Sequence, residues 1–462
     1  MARAKKEAAL TPEERLQAAL VPDWEWPYKL PENWCWTRHN SIMDIVGGAQ
    51  PEKAFFIREP NEGYVQLYQT RDYGENPVPV YIPQKYATKT TDEGDILLAR
   101  YGGSLGKVFR AHKGAYNVAL AKVIILYPEV VDDEFLYLYY YSHFYQDFCI
   151  KAGYGRSAQA GFNKSDLNEL LFPLPPFIEQ QRIVDRIEIL FAKLDEAKEK
   201  AQAVVDSFET RKAAILHKAF AGELTAKWRE EHGLRMESWK KRHINEVARP
   251  RAGYAFDSKK FTNTGYQVIR MGNLYGETLD LFRKPVFISE DDVDDSILNR
   301  ALIKDGDILI TLTGTKYKRD YGYAVCVSSP NKLLVNQRIL CLTPFACVER
   351  NYLLYYLKSN LFRDVFFSCE TGGVNQGNVS SKFVENIEIP IPTFDEQLEI
   401  TTVLDRTLAH EQQAKEAAEA VLAQIDLMKK SILARAFRGE LGTNDPAEES
   451  AVELLKRVLR EE

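Results

Sequence analysis

One stretch of this chain occurs twice, and nothing else in the sequence restricts the fold as strongly. The first copy, 173–224, opens PLPPFIEQQRIV and closes ILHKAFAGEL; the second, 390–441, opens PIPTFDEQLEIT and closes ILARAFRGEL. The copies align without a gap at a constant offset of 217, with 21 of 52 positions identical. That is an internal duplication, and it calls for a fold made of two similar halves.

Each copy begins extended, at prolines, and then turns helical. Thr393 to Glu396 reads T-x-x-E, a capping box whose hydroxyl and carboxylate satisfy orphan backbone N–H groups. Apolar residues then recur at Ile183, Ile187, Leu190, Leu194, Ala197, Ala201, Val204 and Phe208. Alternating steps of four and three make a heptad seam. The second copy keeps Ile400, Leu404, Ala414, Ala418, Val421 and Ile425 in register and turns polar at Thr407 and Glu411. No Gly or Pro interrupts either copy before Gly222 and Gly439, which stand where helices end. The pattern predicts two helices of roughly 40 residues, about 60 Å long at ~1.5 Å per residue. Either they pack on each other as a coiled-coil spacer, or each lies on a separate core.

The 462 residues leave room for about three domains by length. An apolar content of 45% and a charged content of 27% are those of an ordinary globular protein. No apolar run is long enough for a bilayer span, and MARAKKEAAL lacks the apolar core of a secretory signal. Cys35, Cys149, Cys326, Cys341, Cys347 and Cys369 show no C-x-x-C spacing. This predicts reduced cysteines in a cytoplasmic protein rather than a zinc or redox motif. The net charge of −6 argues against binding nucleic acid over the whole surface, but not against local basic patches.

Thr11-Pro12-Glu13-Glu14 gives a cap, a first-turn proline and a capping-box carboxylate for a short helix ending near Leu20. Trp24, Trp26, Trp34 and Trp36 cluster among prolines; so dense an aromatic cluster could stack bases, but more often it anchors a domain edge. Residues 37–172 read as short strands and turns. Asp92-Glu93-Gly94-Asp95 leads into a buried strand, Ile96-Leu97-Leu98-Ala99, and a Gly-rich loop follows from Tyr101 to Lys107. Residues 123–126 form another strand, and 135–148 form one aromatic core helix. The second half repeats this order: Trp239 matches Trp34, Gly253 matches Gly48, and Gly306-Asp307-Ile308-Leu309 matches Gly94-Asp95-Ile96-Leu97. Asp445-Pro446-Ala447-Glu448 caps a last short helix, 451–459, similar enough to the first that the chain ends are expected to meet. The predicted fold is α+β: two similar α/β domains separated by two long helices packed as an antiparallel coiled coil, with pseudo-twofold repetition.

Catalytic motifs are absent. Leu174-Pro175-Pro176-Phe177 looks like the loop of amino-methyltransferases, but Leu174 has no side-chain acceptor for a target amino group, and no Gly-rich cofactor turn precedes it. The Gly102 to Lys107 run ends in Gly-Lys, but Val108 replaces the Ser/Thr of a P-loop. The seven histidines form no paired ligand set. The polar loops carry more information, because the halves match closely except there. Tyr101, Ser104 and Lys107 lie in the first Gly-rich loop, and Arg156, Ser157, Gln159 and Asn163 in the loop before the first long helix. Their counterparts are Thr313, Thr315, Lys316, Lys318 and Arg319, and then Asn375, Gln376 and Asn378; Arg270 and Asn273 precede them. Arg, Asn and Gln read base edges bidentately, and Ser, Thr and Lys suit phosphates. These residues are the candidate DNA contacts.

With these features the chain closely resembles the specificity subunit of type I restriction–modification systems. The resemblance rests on the P-x-P-x-F-x-E-Q openings (Pro173 to Gln180 and Pro390 to Gln397; Pro176 is an extra proline in the first). It rests equally on the A-F-x-G-E-L closings (Ala219 to Leu224 and Ala436 to Leu441), on Leu224-Thr225 with Trp228-Arg229, and on the two G-D-I-L runs. It covers nearly the whole chain except the short extension before Leu10, and the chain is divided into an N-terminal helix or extension (1–24), a target-recognition domain (25–172), a helical spacer (173–231), a second recognition domain (232–389), a second spacer (390–441) and a helical tail (442–462). Each domain would read one half of a split, asymmetric double-stranded DNA site. Two modification subunits would dock on the chain and carry S-adenosylmethionine and adenine N6 methyl transfer. Restriction subunits would add ATP- and Mg-dependent translocation and cleavage. The chain itself would be non-catalytic. Two other readings stand beside this: a coiled-coil scaffold without DNA readout, and a methyltransferase carrying its own recognition domain.

Overall fold

The computed structural model describes residues 11–154, 161–373 and 375–461. The chain divides into two compact units, Met1–Ala201 with Ala420–Glu462, and Gln202–Glu419. Both divisions fall inside the long helices rather than at their ends.

The first unit holds an antiparallel sheet in the order Met43–Gly47, Leu120–Ile125, Ile96–Ala99, Val108–Arg110. The second unit repeats it with Ala248–Ala252, Ile339–Pro344, Ile308–Thr311 and Ala324–Cys326. A smaller sheet in each unit contains one parallel pair, Tyr64–Tyr68 beside Gly114–Tyr116 and Tyr266–Ile269 beside Leu333–Val335. A two-stranded ladder closes each unit, Cys35–Arg38 on Leu171–Leu174 and Lys240–His243 on Glu388–Ile391.

The G-D-I-L runs earn their place in this core. Gly94 and Gly306 hold φ of 87° and 82°, which an L side chain would resist. Asp95 accepts the Asp92 N–H at 2.8 Å and meets Lys122 Nζ at 2.5 Å. Asp307, fully buried, accepts the Lys304 N–H at 2.7 Å and the Thr343 hydroxyl at 2.6 Å and pairs with Arg251. In each unit the carboxylate thus ties its own turn to the adjacent strand, and the following four residues are all buried.

The single helix expected over 135–148 is instead two, Asp133–Tyr139 and His143–Tyr154. The second unit also breaks its helix at the matching position, and there a serine makes the break. Ser359 bonds the Tyr356 carbonyl at 2.6 Å through its hydroxyl and then caps a new helix, Asn360–Ser368, by accepting the Phe362 N–H. Serine competes with the helical ladder in this way. Ser142 stands at the same place in the first unit, but its hydroxyl is buried without a partner, and the turn is closed by its N–H on the Tyr139 carbonyl at 2.8 Å.

The two long helices differ. The second, Phe394–Ala436, is continuous, whereas the first runs Phe177–Asp206, breaks at Ser207 and resumes as Phe208–Phe220. At the break the Ser207 hydroxyl bonds the Ala203 carbonyl at 2.5 Å, and Arg211 donates to the Val204 carbonyl and to Glu411 at 2.7 Å. The predicted seam of the first helix is buried or half-buried at every position. That of the second needs correction, since Ala414 and Val421 are exposed. Glu411, Lys415, Ala418, Leu422, Ile425 and Lys429 face inward instead, again in steps of four and three. Lysine serves at such positions because its stem packs while its head stays solvated. Lys415 lies over the Phe208 ring at 4.8 Å, and Lys429 over Phe191 at 4.9 Å while pairing with Asp195 at 2.6 Å.

Within the first unit, the start of the first long helix runs antiparallel to the end of the second: Ile183 and Ile187 share a core with Leu433, Ala436 and Phe437, and Asp195 meets Lys429. Within the second unit, Leu216, Ala219 and Phe220 share a core with Ile400 and Leu404, and Arg211 meets Glu411. The phenylalanine of each A-F-x-G-E-L closing is therefore a core residue. Phe437 lies 5.1 Å from Phe135 and 5.6 Å from Tyr139, and Phe220 lies 5.4 Å from Tyr352 and 5.1 Å from Tyr356. Gly222 and Gly439 follow at φ 79° and 73°, ending the helices as predicted.

The E-Q pair of each opening is also structural. Glu179 accepts the Trp34 indole N–H at 2.8 Å, and Glu396 accepts that of Trp239 at 2.9 Å. Gln180 accepts the Asp132 N–H and donates to the Val130 carbonyl; Gln397 accepts the Glu349 N–H at 2.7 Å. Each opening thereby fastens a helix start to its own domain. The Glu396 carboxylate is consumed here, so only half of the predicted capping box forms: Thr393 accepts the Glu396 N–H at 3.4 Å. The Thr11–Glu14 box forms completely. The last helix, Ala451–Glu461, is capped by Ser450, not by the 445–448 turn, because Glu448 is drawn into a bidentate pair with Arg182. The two end helices do meet, with Arg460 3.5 Å from Glu13. Of the tryptophan cluster, Trp34 and Trp36 are buried, but Trp24 is 84% exposed.

Candidate nucleic-acid interface

The predicted polar loops come together in pairs at the same place in each unit. In the first unit Tyr101 bridges Gly161, and its hydroxyl donates to Asn163 Oδ1 at 3.2 Å. In the second, Thr313–Gly314 pairs with Gly377–Asn378, placing Thr313 opposite Asn378. Tyr101 and Thr313 are counterparts, as are Gly161 and Asn378, so one backbone contact carries different side chains in the two halves.

Around the first contact, Lys107 is exposed, Ser104 is half-buried and turns the loop by accepting the Lys107 N–H at its carbonyl, and Arg100 stacks on Tyr101 at 4.7 Å. Asn163 is exposed. Arg156, Ser157 and Gln159 lie outside the described residues.

Around the second contact the basic loop is internally braced. Lys316 Nζ donates to the Gly372 carbonyl at 3.0 Å, and Arg319 pairs with Asp364 at 2.8 Å and lies over Phe367. The Thr315 N–H is held by Asp320, and the Tyr317 N–H by Glu370 at 3.2 Å. Glu370 also accepts the Tyr321 hydroxyl at 2.8 Å; burial, then this carboxylate, pushes that hydroxyl's pKa far up. Arg363 completes the brace by donating to the carbonyls of Arg319, Tyr321 and Gly322. Tyr317 and Arg319 hold φ of 66° and 51°, conformations costly for side chains of this size. Tyr317 (81% exposed) and Lys318 project from the loop, and Asn375 and Gln376 are exposed beside it.

Two predicted contacts have structural places instead. Asn273 is buried, and its amide donates to the carbonyls of Asp280 and Arg283. The Thr313 hydroxyl is buried against Met271 Sδ at 2.8 Å. Both sit where polar chemistry suggests a ligand, but each is satisfied by its own chain.

Arg270 stands beside them in a setting the sequence did not reveal. With Arg283, Lys284, Arg338 and Asn336 it lines an open cleft of about 440 Å³. Phe282, next in sequence to the lining Arg283, is 92% exposed, and Arg283 lies 5.6 Å over the exposed Tyr275 ring. Cations interleaved with exposed aromatics suit a phosphate backbone and unstacked or stacked bases. The cleft draws on three separate loops, so no short motif marks it; the cluster Phe282-Arg283-Lys284 was its only local signal. Among the described residues no group of three or more His, Cys, Asp or Glu could hold a metal ion, and no helix is long and apolar enough to cross a membrane.

Known proteins share this architecture. The profile of the type I restriction modification DNA specificity domain matches residues 31–205 and again 236–420. The specificity subunit of the type I restriction enzyme EcoKI from Escherichia coli K12 is 24% identical over 467 residues, covering 94% of this chain and 96% of that protein. The MjaVIII specificity subunit of Methanocaldococcus jannaschii is 23% identical, covering 89% and 94%. The solved HsdS subunit from Thermoanaerobacter tengcongensis superposes with a TM-score of 0.62 at 19% identity, covering 90% of this chain and 99% of that one. With both halves matched by one profile and relatives aligned along nearly their full lengths, this chain belongs to the type I restriction–modification DNA specificity family.

Proposed function

We propose that this chain supplies the DNA sequence specificity of a type I restriction–modification complex, each unit reading one half of a bipartite, asymmetric site. The observation that carries the proposal is the matched loop contact, Tyr101 on Gly161 and Thr313 on Asn378. A duplicated framework that keeps one backbone contact but changes the surrounding side chains suits two different half-sites. The chain recognises and other subunits react: two modification subunits bring S-adenosylmethionine and methylate adenine N6, and restriction subunits bring ATP and Mg. The paired helices are the surface on which those partners assemble.

The test is methylation mapping in cells that carry this chain with its cognate modification subunits. Methylation is expected at one split, asymmetric motif that disappears without this chain. Methylation without sequence preference would favour a scaffold, and methyl transfer by the purified chain alone would favour an enzyme.

A further inference from the structure

The two units share a position outside the matched loops, at the end of their parallel strand pairs. In the first unit it is Gln69, following Tyr64–Tyr68; in the second it is Arg270, following Tyr266–Ile269. Three bonds establish the match. The Asn117 N–H donates to the Tyr68 carbonyl at 3.1 Å, and the Asn336 N–H to the Ile269 carbonyl at 3.0 Å. The Gln69 N–H is accepted by Asp72 Oδ2 at 2.8 Å, and the Arg270 N–H by Asn273 Oδ1 at 3.0 Å, each three residues on. Asn117 and Asn336 then hold the N–H two residues on, at Ala119 (3.1 Å) and Arg338 (3.4 Å). A glycine lies against each turn, and a Cβ on it would sit 2.1 Å from the Asn117 or Asn336 carbonyl oxygen, so the backbones must approach closely.

The side chains at this position depart from the economy of the rest of the fold. Gln69 Nε2 and Arg270 Nε are both buried without a hydrogen-bond partner, two of the few such atoms among the described residues. A buried unpaired donor is costly, and its recurrence at matched positions calls for an explanation. The Arg270 guanidinium is held at one nitrogen by the Lys284 carbonyl at 2.8 Å and opens onto the basic cleft. Glutamine and arginine both carry paired hydrogen-bonding atoms that match a base edge in the major groove: Gln with adenine N6 and N7, Arg with guanine O6 and N7.

We infer that this shared position determines base identity in each half-site, with Arg270 reading a guanine through the second unit and Gln69 an adenine through the first. The inference rests on the DNA-reading function proposed above and assigns it to two residues. The surrounding Arg283, Lys284 and Arg338 hold the phosphates, and the braced turn sets the depth of the reader.

The experiment maps methylation by the assembled complex with the wild-type chain, Q69A, R270A and R270K. The wild type comes first: no sequence-selective methylation would reject the DNA-reading function as a whole. Given a wild-type motif, R270A and R270K should each lose discrimination for guanine at one position of one half-site, by roughly ten-fold or more. Q69A should do the same for one adenine of the other half-site. R270K keeps the charge and the packing of the stem, so relaxation in it separates base reading from folding. Thermal unfolding of each variant shows whether it is folded. Folded, active variants with an unchanged motif would overturn the inference and leave Gln69 and Arg270 as turn residues. A change in both half-sites from one substitution would overturn it too.

Discussion

Arg229 and Glu396 form an ion pair inside the second unit, the guanidinium 7% exposed and the carboxylate 0%. Thr225 and Trp239 donate to the same carboxylate at 2.7 and 2.9 Å. Among the described residues its counterpart, Glu179, meets only neutral donors at hydrogen-bond distance: Trp34, Thr443 and Asn444. Burial raises the Glu179 pKa, and those donors partly hold it down. The duplication has kept the glutamate, the tryptophan and a threonine hydroxyl, but has Arg229 on one carboxylate and Asn444 on the other.

That difference sets unequal costs. Glu396→Gln leaves Arg229 buried without its counter-charge and should destabilise the second unit by about 3–5 kcal/mol. Glu179→Gln strands no cation and should cost about 1–3 kcal/mol, the range for disturbed buried hydrogen bonds. Denaturant unfolding of the two purified variants beside the parent checks the order, and equal losses would mean the buried pair adds nothing beyond its hydrogen bonds.

His39 should make the first unit acid-sensitive. It is fully buried, with one ring nitrogen 3.0 Å from Asn40 Oδ1 and the other 2.7 Å from the Tyr140 hydroxyl. Burial lowers its pKa to about 4, against the opposing Asn40 bond and Asp44 charge. The unfolded chain therefore binds the proton more readily than the folded one between about pH 6.5 and 4. The contribution is fully present above pH 6.5 and is lost as pH falls through that window, on the order of 3 kcal/mol in all. Melting temperatures from pH 7.5 to 4.5 should fall less steeply in His39→Gln than in the parent.

The basic loop should not behave as three equivalent cations. Lys318 projects into solvent, whereas Lys316 and Arg319 are tied to Gly372 and Asp364. Lys318→Ala should weaken DNA binding by the assembled complex uniformly across sequences and lower the salt slope by roughly one. Arg319→Ala should release the loop from Asp364 and Phe367, giving a loss that depends on sequence. Titrations at several salt concentrations on cognate and unrelated duplexes distinguish the two, and wild-type behaviour in both variants would leave the loop without a DNA role.

Repetition was the most legible property of the sequence, because an ungapped 52-residue match carries helix, caps and core phenylalanine together. The G-D-I-L turns and the helix-ending glycines were legible for the same reason: local geometry demands those residues. The register of the second seam was not, since Lys415 and Lys429 pack through their stems and count as polar in any apolar pattern. Nor was the fate of Glu396, whose partner Arg229 is 167 positions away. At the candidate interface the residue types gave the class of chemistry, but only the fold separates the spent amide of Asn273 from the cleft-facing Arg270. Gln69 escaped notice because its equivalence to Arg270 lies in backbone bonds, not in any shared residue.

The duplicated framework should make recognition modular, with one condition on how the parts are cut. Residues 37–172 contain both sheets and both core helices of the first unit, so exchanging them for the matching region of a relative should change one half-site and leave the other. The core, however, is completed from far along the chain. Phe135 and Tyr139 pack on Phe437, and Gln180 holds the Asp132 N–H. An incoming segment with aromatics at the two helix positions should fold on this frame. One with small residues there leaves Phe437 facing a cavity, a loss comparable to a buried Phe→Ala change at about 3–5 kcal/mol. Methylation maps and unfolding curves of two such chimaeras, one with and one without the aromatic pair, supply the measurement. The expected outcome is a new first half-site and near-parental stability in the aromatic-matched chimaera, and a destabilised, poorly methylating product in the other. A change in both half-sites in the stable chimaera would mean that the units read DNA jointly.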